Sequence, residues 1–364
     1  MMKLSDREWK AISITSLFSN LEAGKINNAS ILKKTNIGGI EYIGATNRNN
    51  GCLYFVEKDE ILYSKVQKGN CIGFIKDGDG SAGYAIYKKE AFVSTVNVIY
   101  GYADWLNKYT GLFFVTTQNL IKNKYSHGYK RNYEHLKGDK VMLPVNDNGE
   151  PDYTFMEAFI KEREEEKRKE YIDYCKKQLE NIGGGGYKIV SLTDKQWKDF
   201  SIGGNDGIFT IYSGKRLTVS NMHKGNIPFI GATDSNNGIT NWISNINSTY
   251  DFNVLGVNYN GSVVKNFYHA YNCLFSDDVK RLHLKNYEDN KFVLLFISTL
   301  ILKQKIKYTY GYKFNGTRMN RQKIIIPIDD YGNPDYEYME QYSKNLICKK
   351  IRNYLDYVSE AKYS

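Results

Sequence analysis

The chain has few of the residues that disulfide-stapled or zinc-binding domains need. Its five cysteines are odd in number and form no C-x-x-C pair; they are Cys52, Cys71, Cys175, Cys273 and Cys348. This pattern argues against a disulfide framework and against a structural zinc site. The five histidines also stand singly, without a second histidine at metal-ligand spacing. We therefore expect no metal site in this chain.

Targeting and membrane-spanning segments are missing as well. No charged-then-apolar segment opens the chain. The longest apolar stretch, at residues 292–302, is interrupted by Ser298 and Thr299 and is too short to cross a bilayer. We expect a cytoplasmic protein with no membrane partner.

Several known catalytic motifs are also absent. The sequence has no G-x-x-x-x-G-K-[ST], no H-E-x-x-H, no G-x-S-x-G and no F-x-G-x-G cofactor loop. N-P-D-Y at residues 333–336 is similar to the N-P-P-Y of adenine methyltransferases, which holds a flipped base. Its second proline is missing, and the related G-E-P-D-Y at residues 149–153 lacks the asparagine. The nuclease-like pair Asp139-Lys140 has no supporting context. We expect no catalytic residue and no cofactor in this chain.

What the sequence does contain is a globular composition with a basic surplus. Hydrophobic residues make up 41% and charged residues 25% of its 364 residues, which is typical of a folded protein. Against 40 acidic residues stand 50 Lys and Arg, giving a net charge of +10. Many soluble proteins carry such a surplus, but it favours a polyanionic partner such as nucleic acid.

The chain repeats itself, with matching anchors in the same order. I-E-Y-I-G-A-T-N-R-N-N-G at residues 40–51 returns as I-P-F-I-G-A-T-D-S-N-N-G at residues 227–238. The remaining anchor pairs are Trp9 and Trp197, D-G-S-A-G around Ser81 and N-G-S-V around Ser262, Y-S-H-G-Y-K at 125–130 and Y-T-Y-G-Y-K at 308–313, and L-P-V-N-D-N-G-E-P-D-Y at 143–153 and I-P-I-D-D-Y-G-N-P-D-Y at 326–336. Such an ordered set indicates an internal duplication.

Each copy has the same predicted plan, a mixed α/β segment followed by a long helix. Residues 61–66, 93–99, 141–145 and 324–328 are rich in β-branched residues between turn signals and predict strands. Residues 291–303 predict a helix. The P-D-Y motif predicts the start of each closing helix, because Asp152 and Asp335 can cap its first turn.

The closing helices are predicted over residues 152–181 and 335–360. The first, about 45 Å long, has a charged and solvated middle at residues 161–170. Apolar stripes on the two helices predict that they pair with each other; the residues chosen for this contact are Phe155, Phe159, Ile172, Leu179, Met339, Leu346, Ile351 and Val358. The glycine run at 183–186 lacks the Lys-Ser/Thr of a phosphate-binding loop and predicts a flexible joint.

With these motifs in order, the chain resembles the specificity subunits of type I restriction–modification systems and their type IIB relatives. The resemblance rests on the duplicated I-G-A-T-x-x-N-N-G segment, on N-G-S-V followed by F-S-D-D-V, and on Y-G-Y-K with P-D-Y before each long helix. It covers nearly the whole chain. The first copy departs from it at residues 40–42 and 94–96, where I-E-Y replaces I-P-F and S-T-V replaces S-D-D.

The resemblance implies a mixed α/β fold with two target-recognition domains, separated by two long antiparallel helices in pseudo-twofold symmetry. The domains would span 1–151 and 187–334, the spacer helix and glycine joint 152–186, and the second helix 335–364. It implies double-stranded DNA as one partner and DNA methyltransferase subunits, two of them, as another, with a restriction subunit as a further candidate. S-adenosylmethionine would belong to the methyltransferase.

Candidate DNA-binding residues are polar and basic side chains in the repeated loops. In the first copy they are Asn47, Arg48, Asn49, Ser81, Tyr129, Lys130 and Arg131. In the second copy they are Asp234, Ser235, Asn236, Tyr259, Asn260, Ser262, Lys313, Arg318 and Arg321. N-N-G also suits a plain turn, so Asn50 and Asn237 are expected to be scaffold. The differing neighbours Arg48 and Ser235 are better candidates to read bases.

Two rival functions stay open at this point. One is a self-sufficient methyltransferase or nuclease, against which the missing cofactor loop and the single N-P-D-Y argue. The other is a stand-alone regulator or phage-type decoy that keeps the fold and binds only the methyltransferase. The net charge of +10 weakly disfavours a DNA mimic.

Overall fold

The computed structural model describes residues 1–126, 128–309 and 311–360. The chain divides into two compact units, a first unit at Met1–Tyr171 and a second unit at Ile172–Ser364. The boundary between them falls inside the first closing helix. None of the helices among the described residues is both long and apolar enough to span a membrane.

The first unit contains ten strands and four α-helices among its described residues. The strands are β1 (Glu8–Ser13), β2 (Asn20–Ala23), β3 (Lys34–Thr35), β4 (Ile40–Ile43), β5 (Cys52–Val56), β6 (Cys71–Ile75), β7 (Ala85–Lys88), β8 (Phe92–Ser94), β9 (Val98–Tyr102) and β10 (Lys140–Val145). The helices are α1 (Glu60–Tyr63), α2 (Lys108–Gln118), α3 (Tyr133–Lys137) and α4 (Tyr153–Asn181), of which α4 continues into the second unit. The sheets have the strand orders β1-β10, β2-β9-β6-β7 and β3-β5-β4-β8.

The second unit repeats this plan. Its strands are β11 (Trp197–Ser201), β12 (Phe209–Ser213), β13 (Lys224–Ile230), β14 (Ile239–Ile243), β15 (Val254–Asn258), β16 (Asn266–His269), β17 (Leu274–Phe275), β18 (Val279–Leu284) and β19 (Lys323–Pro327). Its further helices are α5 (Lys291–Lys303), α6 (Gly316–Arg321) and α7 (Tyr336–Glu360). The sheets have the orders β11-β19, β12-β18-β15-β16 and β14-β13-β17.

The strands that the two units share match in register as well as in order. Trp9 lies opposite Pro144 in the β1-β10 pair, and Trp197 lies opposite Pro327 in the β11-β19 pair. In each unit one pairing is parallel, β4 with β8 and β13 with β17. The predicted mixed α/β fold with two repeated domains is therefore confirmed.

Most of the locally predicted elements are present, and one is wrong. Residues 141–145 and 324–328 lie in or next to β10 and β19, and the predicted helices match α4, α5 and α7. Residues 93–99 are two strands, β8 and β9, joined by a turn. Residues 61–66 do not form a strand: α1 starts there because the Asp59 carboxylate accepts a hydrogen bond from the Leu62 amide at 2.9 Å.

The P-D-Y motif caps both closing helices as predicted. Asp152 accepts a hydrogen bond from the Phe155 amide at 2.8 Å, and Asp335 accepts one from the Tyr338 amide at 2.9 Å. Each aspartate also forms an ion pair, Asp152 with Arg7 and Asp335 with Lys195. The carboxylates thus satisfy free amides at the helix starts and tie each helix to the chain entering its unit.

Each closing helix begins on the core of its own unit. In the first unit Phe113 of α2 stacks on Trp9 at 6.0 Å and meets Phe159 of α4 edge-on at 5.8 Å. The second unit repeats this cluster, with Phe296 of α5 at 6.3 Å from Trp197 and 5.6 Å from Tyr342 of α7.

This arrangement corrects part of the helix-pair prediction. Phe155, Phe159 and Met339 belong to the cores of their own units, so they are not available to pair one long helix with the other. Leu346 is 45% exposed. Ile172, Leu179 and Ile351 are half-buried and Val358 is buried, all within the second unit. Their pairing stays a prediction.

The glycine run at residues 183–186 is held in place on α7. All four glycines have a positive φ, a backbone angle that residues other than glycine rarely adopt. The Asn345 side chain accepts hydrogen bonds from the Gly186 and Tyr187 amides at 2.8 and 3.0 Å. Arg352 donates to the Gly184 carbonyl. The segment is therefore a bonded connection and does not fit the predicted flexible joint.

A charged cluster stabilises the sheet of the second unit around β18. Asp289 accepts a hydrogen bond from His283 Nδ1 at 2.6 Å, and Asp251 accepts from His283 Nε2 at 3.0 Å. Arg281 donates to the same Asp251 oxygen at 2.6 Å. The hydrogen bonds to Asp251 and Asp289 raise the pKa of His283 to about 9, although burial opposes the charged form.

This cluster predicts that the second unit loses stability in mild alkali. Below about pH 6.5, the usual histidine pKa, the imidazolium is charged in the folded and unfolded states and its stabilisation is complete. As the pH rises through about 9 the folded protein loses the proton and that stabilisation. We expect the free energy of unfolding to fall by about 2 kcal/mol over this range, after allowance for partial exposure. Urea titrations at several pH values measure it, and His283→Gln should remove most of the dependence. An equal decline in that variant would contradict the assignment.

Candidate nucleic-acid interface

The N-N-G turns present the first group of candidate residues. Asn49, Asn50, Asn236 and Asn237 all have positive φ, between 47° and 53°. The side chain of Asn50 donates to the Tyr87 carbonyl at 2.8 Å, and that of Asn237 donates to the Tyr271 hydroxyl at 2.9 Å. These bonds match the scaffold role expected for Asn50 and Asn237.

The first asparagine of each turn and the two residues before it are exposed. Asn47, Arg48 and Asn49 are exposed in the first unit, as are Asp234, Ser235 and Asn236 in the second. At equivalent positions one turn has a cation (Arg48) and the other has a neutral hydroxyl (Ser235). The two turns therefore share a backbone and differ in the hydrogen-bonding groups that they present.

The β6-β7 and β15-β16 hairpin loops lie beside these turns. Ser81 is buried, donates to the Asn47 side chain at 3.1 Å and accepts from the Asn47 amide at 3.2 Å. Its hydroxyl is thus committed to the turn, which does not fit the prediction that it binds DNA directly. The Ser262 amide donates to the Ala232 carbonyl at 3.0 Å, which joins the corresponding loop and turn of the second unit.

The second hairpin loop is braced by an acidic residue. Asn260 donates its side-chain amide to Asp278 at 2.8 Å, and the Tyr259 backbone amide donates to the Asp278 carbonyl at 3.0 Å. The Lys280 ammonium lies 4.9 Å from the centre of the Tyr259 ring. Tyr259 and Asn260 are half-buried, so they offer only part of their surface to a ligand.

A stacked tyrosine pair with an exposed outer ring occurs in both units. Tyr129 stacks on Tyr125 at 5.8 Å, and Tyr312 stacks on Tyr308 at 5.7 Å. The inner ring of each pair is buried, whereas Tyr129 is 49% and Tyr312 48% exposed. Each outer tyrosine is followed in the chain by a lysine, Lys130 or Lys313. The Lys130 ammonium pairs with the Asp77 carboxylate at 2.7 Å.

Arg131 is the clearest correction among the predicted phosphate contacts. It is fully buried, and its guanidinium lies 2.7 Å from the buried Asp139 carboxylate. It also donates to the Gln118 side chain at 2.8 Å. A buried guanidinium with these partners cannot reach a phosphate at the surface. Arg318 and Arg321 of the second unit are half-buried and exposed, respectively.

The geometry can now be set beside known proteins. The model of the type I restriction modification DNA specificity domain matches this chain twice, at residues 6–192 and 194–356. The chain belongs to this family of DNA specificity subunits. It is 42% identical over 319 residues to a curated relative, the specificity subunit S.BcgI of the type II restriction enzyme BgcI of Heyndrickxia coagulans, covering 87% of this chain and 88% of the relative.

Solved specificity subunits align along most of the chain at low identity. The S subunit of a type I restriction–modification system from M. genitalium is 16% identical, with a TM-score of 0.49, over 100% of this chain and 95% of that one. The HsdS subunit from Thermoanaerobacter tengcongensis is 12% identical, with a TM-score of 0.32, over 97% and 91%.

In this member of the specificity-subunit family the N-P-D-Y motif has a structural role in the second unit. Asp335 caps α7, and Tyr336 packs against Tyr287 with ring centres 4.5 Å apart. Burial raises the pKa of Tyr336 to about 12. In the first copy Tyr153 stacks on Trp105 at 4.7 Å. Both rings are therefore committed to packing, as the helix-start interpretation requires.

His135 of α3 was not among the residues predicted for the interface. It lies beside the loop that carries Tyr129, which together with the loop that carries Tyr312 we call the tyrosine loops. His135 stacks on Tyr129 with ring centres 4.3 Å apart, and Arg318 occupies the corresponding place over Tyr312 at 3.7 Å. Aligning the two copies on their Y-G-Y-K motifs places His135 opposite Arg318. That alignment was the signal that could have found His135.

Proposed function

We propose that this chain reads a bipartite site in double-stranded DNA and directs partner methyltransferase subunits, two per complex, to it. A restriction subunit is a further candidate partner. The observation that carries the proposal is the duplication of one loop set on one scaffold with different side chains. The equivalent turns present Asn47 and Arg48 in the first unit and Asp234 and Ser235 in the second. Equal scaffolds with unequal donors and acceptors suit two DNA half-sites of different sequence.

The chemistry of modification is assigned to the partner. The methyltransferase would bind S-adenosylmethionine and transfer the methyl group, while this chain would supply the DNA sequence preference. Both units have their loop tyrosines close to lysines, which suits a phosphate backbone. Since the substrate is chromosomal or invading DNA, we place the complex in the cytoplasm.

The test is an exchange of recognition segments. Replacing residues 1–150 with the matching segment of another specificity subunit should change one half of the methylated motif and leave the other half intact. The reason is that the first unit has its own sheets, core and loops. Methylome sequencing of cells that carry the hybrid with its methyltransferase reads both halves at once. The matched control replaces residues 187–334 and should change the opposite half.

The outcomes separate the proposal from its rivals. A change in both halves with either hybrid would contradict independent reading by the two units. Methylation by the purified chain alone with S-adenosylmethionine would show a self-sufficient methyltransferase. A genomic methylation pattern unaffected by deletion of the gene would favour a decoy that binds only the methyltransferase.

A further inference from the structure

The tyrosine loops carry a clamp that is built in the same way in both units. In each loop a backbone hydrogen bond holds the outer tyrosine: the Tyr129 amide donates to the Ser126 carbonyl at 3.1 Å, and the Tyr312 amide donates to the Thr309 carbonyl at 3.1 Å. The ring then stacks on the buried inner tyrosine. Its other partner comes from the short helix that follows, from His135 in α3 or Arg318 in α6.

Hydrogen bonds from backbone amides to capping side chains fix the place of this second partner. Asn132 caps α3 by accepting from the His135 amide at 2.8 Å, and Asn315 caps α6 by accepting from the Arg318 amide at 3.0 Å. Leu136 and Met319, the next residues in each helix, are fully buried and anchor the helix to its core. The side chain at position 135 or 318 is thereby set beside the tyrosine.

Both side chains make the same two contacts with different chemistry. His135 Nδ1 donates to the Lys130 carbonyl at 2.6 Å, and Arg318 Nη1 donates to the Lys313 carbonyl at 2.7 Å. Each also lies against the outer tyrosine ring. A ring imidazole and a guanidinium share a flat shape and an N–H donor, whereas a permanent charge belongs to the arginine alone. The role that the two side chains share is therefore to orient the loop that carries the outer tyrosine.

We infer that His135 and Arg318 are equivalent positioning residues, which hold Tyr129 and Tyr312 for contact with DNA and do not themselves bind phosphate. The inference rests on the proposed function. Each exposed ring is followed in the chain by a lysine, Lys130 or Lys313. Lys124 and Lys307 donate to Asp139 and Gln322, the same side chains that accept hydrogen bonds from the inner tyrosines. An aromatic ring among cations suits the sugar-phosphate backbone and unstacked bases. This assigns Arg318 a different role from the phosphate contact expected from its sequence.

The experiment measures DNA affinity of the complex of this chain with its methyltransferase subunits, on duplexes carrying the methylated motif, over a series of KCl concentrations. Tyr312→Ala and Arg318→Ala should each weaken binding about tenfold, the scale of a lost aromatic contact. Arg318→His should keep affinity within about threefold with the salt slope unchanged. Arg318→Lys keeps the charge and loses the flat group, so it should behave like Arg318→Ala.

A double variant tests whether Arg318 acts through the tyrosine. If it does, Tyr312→Ala/Arg318→Ala should bind no more weakly than Tyr312→Ala alone. The matched set in the first unit is Tyr129→Ala, His135→Ala and His135→Arg, of which only His135→Arg should retain affinity. Hydrogen exchange of the β6 and β15 amides identifies any variant whose unit has lost its fold.

Three results would overturn the inference. The first is that Arg318→Lys retains its DNA affinity while Arg318→His lowers the slope of log affinity against log KCl concentration by about one unit. That combination is the signature of a direct phosphate contact. The second is a loss of DNA affinity in Tyr312→Ala/Arg318→Ala that equals the product of the losses in the two single variants. The third is unchanged affinity in both tyrosine variants. Failure of the proposed function would look different, because the unsubstituted complex would then bind motif and scrambled duplexes equally.

Discussion

Replacing Arg131 with leucine should lower the free energy of unfolding of the first unit by about 3 kcal/mol. The guanidinium and the Asp139 carboxylate are both fully buried and lie 2.7 Å apart. Removing the cation leaves Asp139 with hydrogen bonds from Tyr125 and Lys124 only, each at 2.8 Å. A buried carboxylate that loses its main counter-charge is costly. Hydrogen exchange of the β6 and β7 amides under native conditions reports this unit.

The second unit supplies the matched rescue. At the places of Gln118, Arg131 and Asp139 it has Ile301, Phe314 and Gln322, all buried. Gln322 accepts a hydrogen bond from Tyr308 at 2.7 Å, as Asp139 accepts one from Tyr125. The triple variant Gln118→Ile/Arg131→Phe/Asp139→Gln should therefore recover stability to within about 1 kcal/mol of the unsubstituted protein.

The same variants decide the role of Arg131 in binding. The triple variant should retain DNA affinity and its salt dependence, because the guanidinium never reaches the surface. The reverse change Phe314→Arg should destabilise the second unit, because the residue aligned with Asp139 there is the uncharged Gln322. If the triple variant were as unstable as Arg131→Leu, the equivalence of the two cores at these positions would be wrong.

Arg131 also shows where single-sequence reasoning stopped. A basic residue after Y-K in an aromatic loop has the composition of a phosphate contact, and nothing local signals burial. The information lay in the other copy, where Phe314 is aligned with it. An apolar residue at the equivalent position indicates an interior site, and the nearby Asp139 is then the natural partner for the charge.

The duplication itself could be predicted because its anchors have strict backbone needs. N-N-G recurs because positive φ is required at two successive asparagines, and P-D-Y recurs because a carboxylate must cap the closing helix. The helix α1 could not be predicted in this way. It is too short to show a helical period, and its β-branched and aromatic residues resemble a strand.

The sequence also could not predict which element the apolar stripe of a helix packs against. The apolar residues at the starts of α4 and α7 predict burial correctly, but a stripe does not say against which element it packs. Phe159 and Tyr342 meet Phe113 and Phe296 of their own units. These contacts join residues far apart in sequence, and only the tertiary structure shows them.

The charged middle of α4 leads to the last expected result, which is a change in the spacing of the recognised site. Residues 161–170 contain no apolar side chain, yet the early part of this segment is not free. Glu164 pairs with Lys108 at 2.7 Å, and Glu162 accepts a hydrogen bond from the Met2 amide at 2.7 Å. An insertion should therefore follow Lys169, where exposed side chains adjoin the boundary between the units.

Inserting Glu-Ala-Ala-Lys after Lys169 lengthens the helix by about 6 Å and about 1.1 turns, so its faces are nearly restored. At about 3.4 Å per base pair this corresponds to nearly two base pairs. If α4 sets the distance between the half-sites, both halves of the methylated motif should keep their sequences while the unspecified spacer grows by one or two pairs. Methylome sequencing of cells that carry the variant with its methyltransferase measures this. The control replaces Glu165, Lys167, Lys169 and Glu170 with alanine at constant length and should leave the spacer unchanged. Normal methylation with the original spacer in the insertion variant would mean that the helix does not determine the spacing.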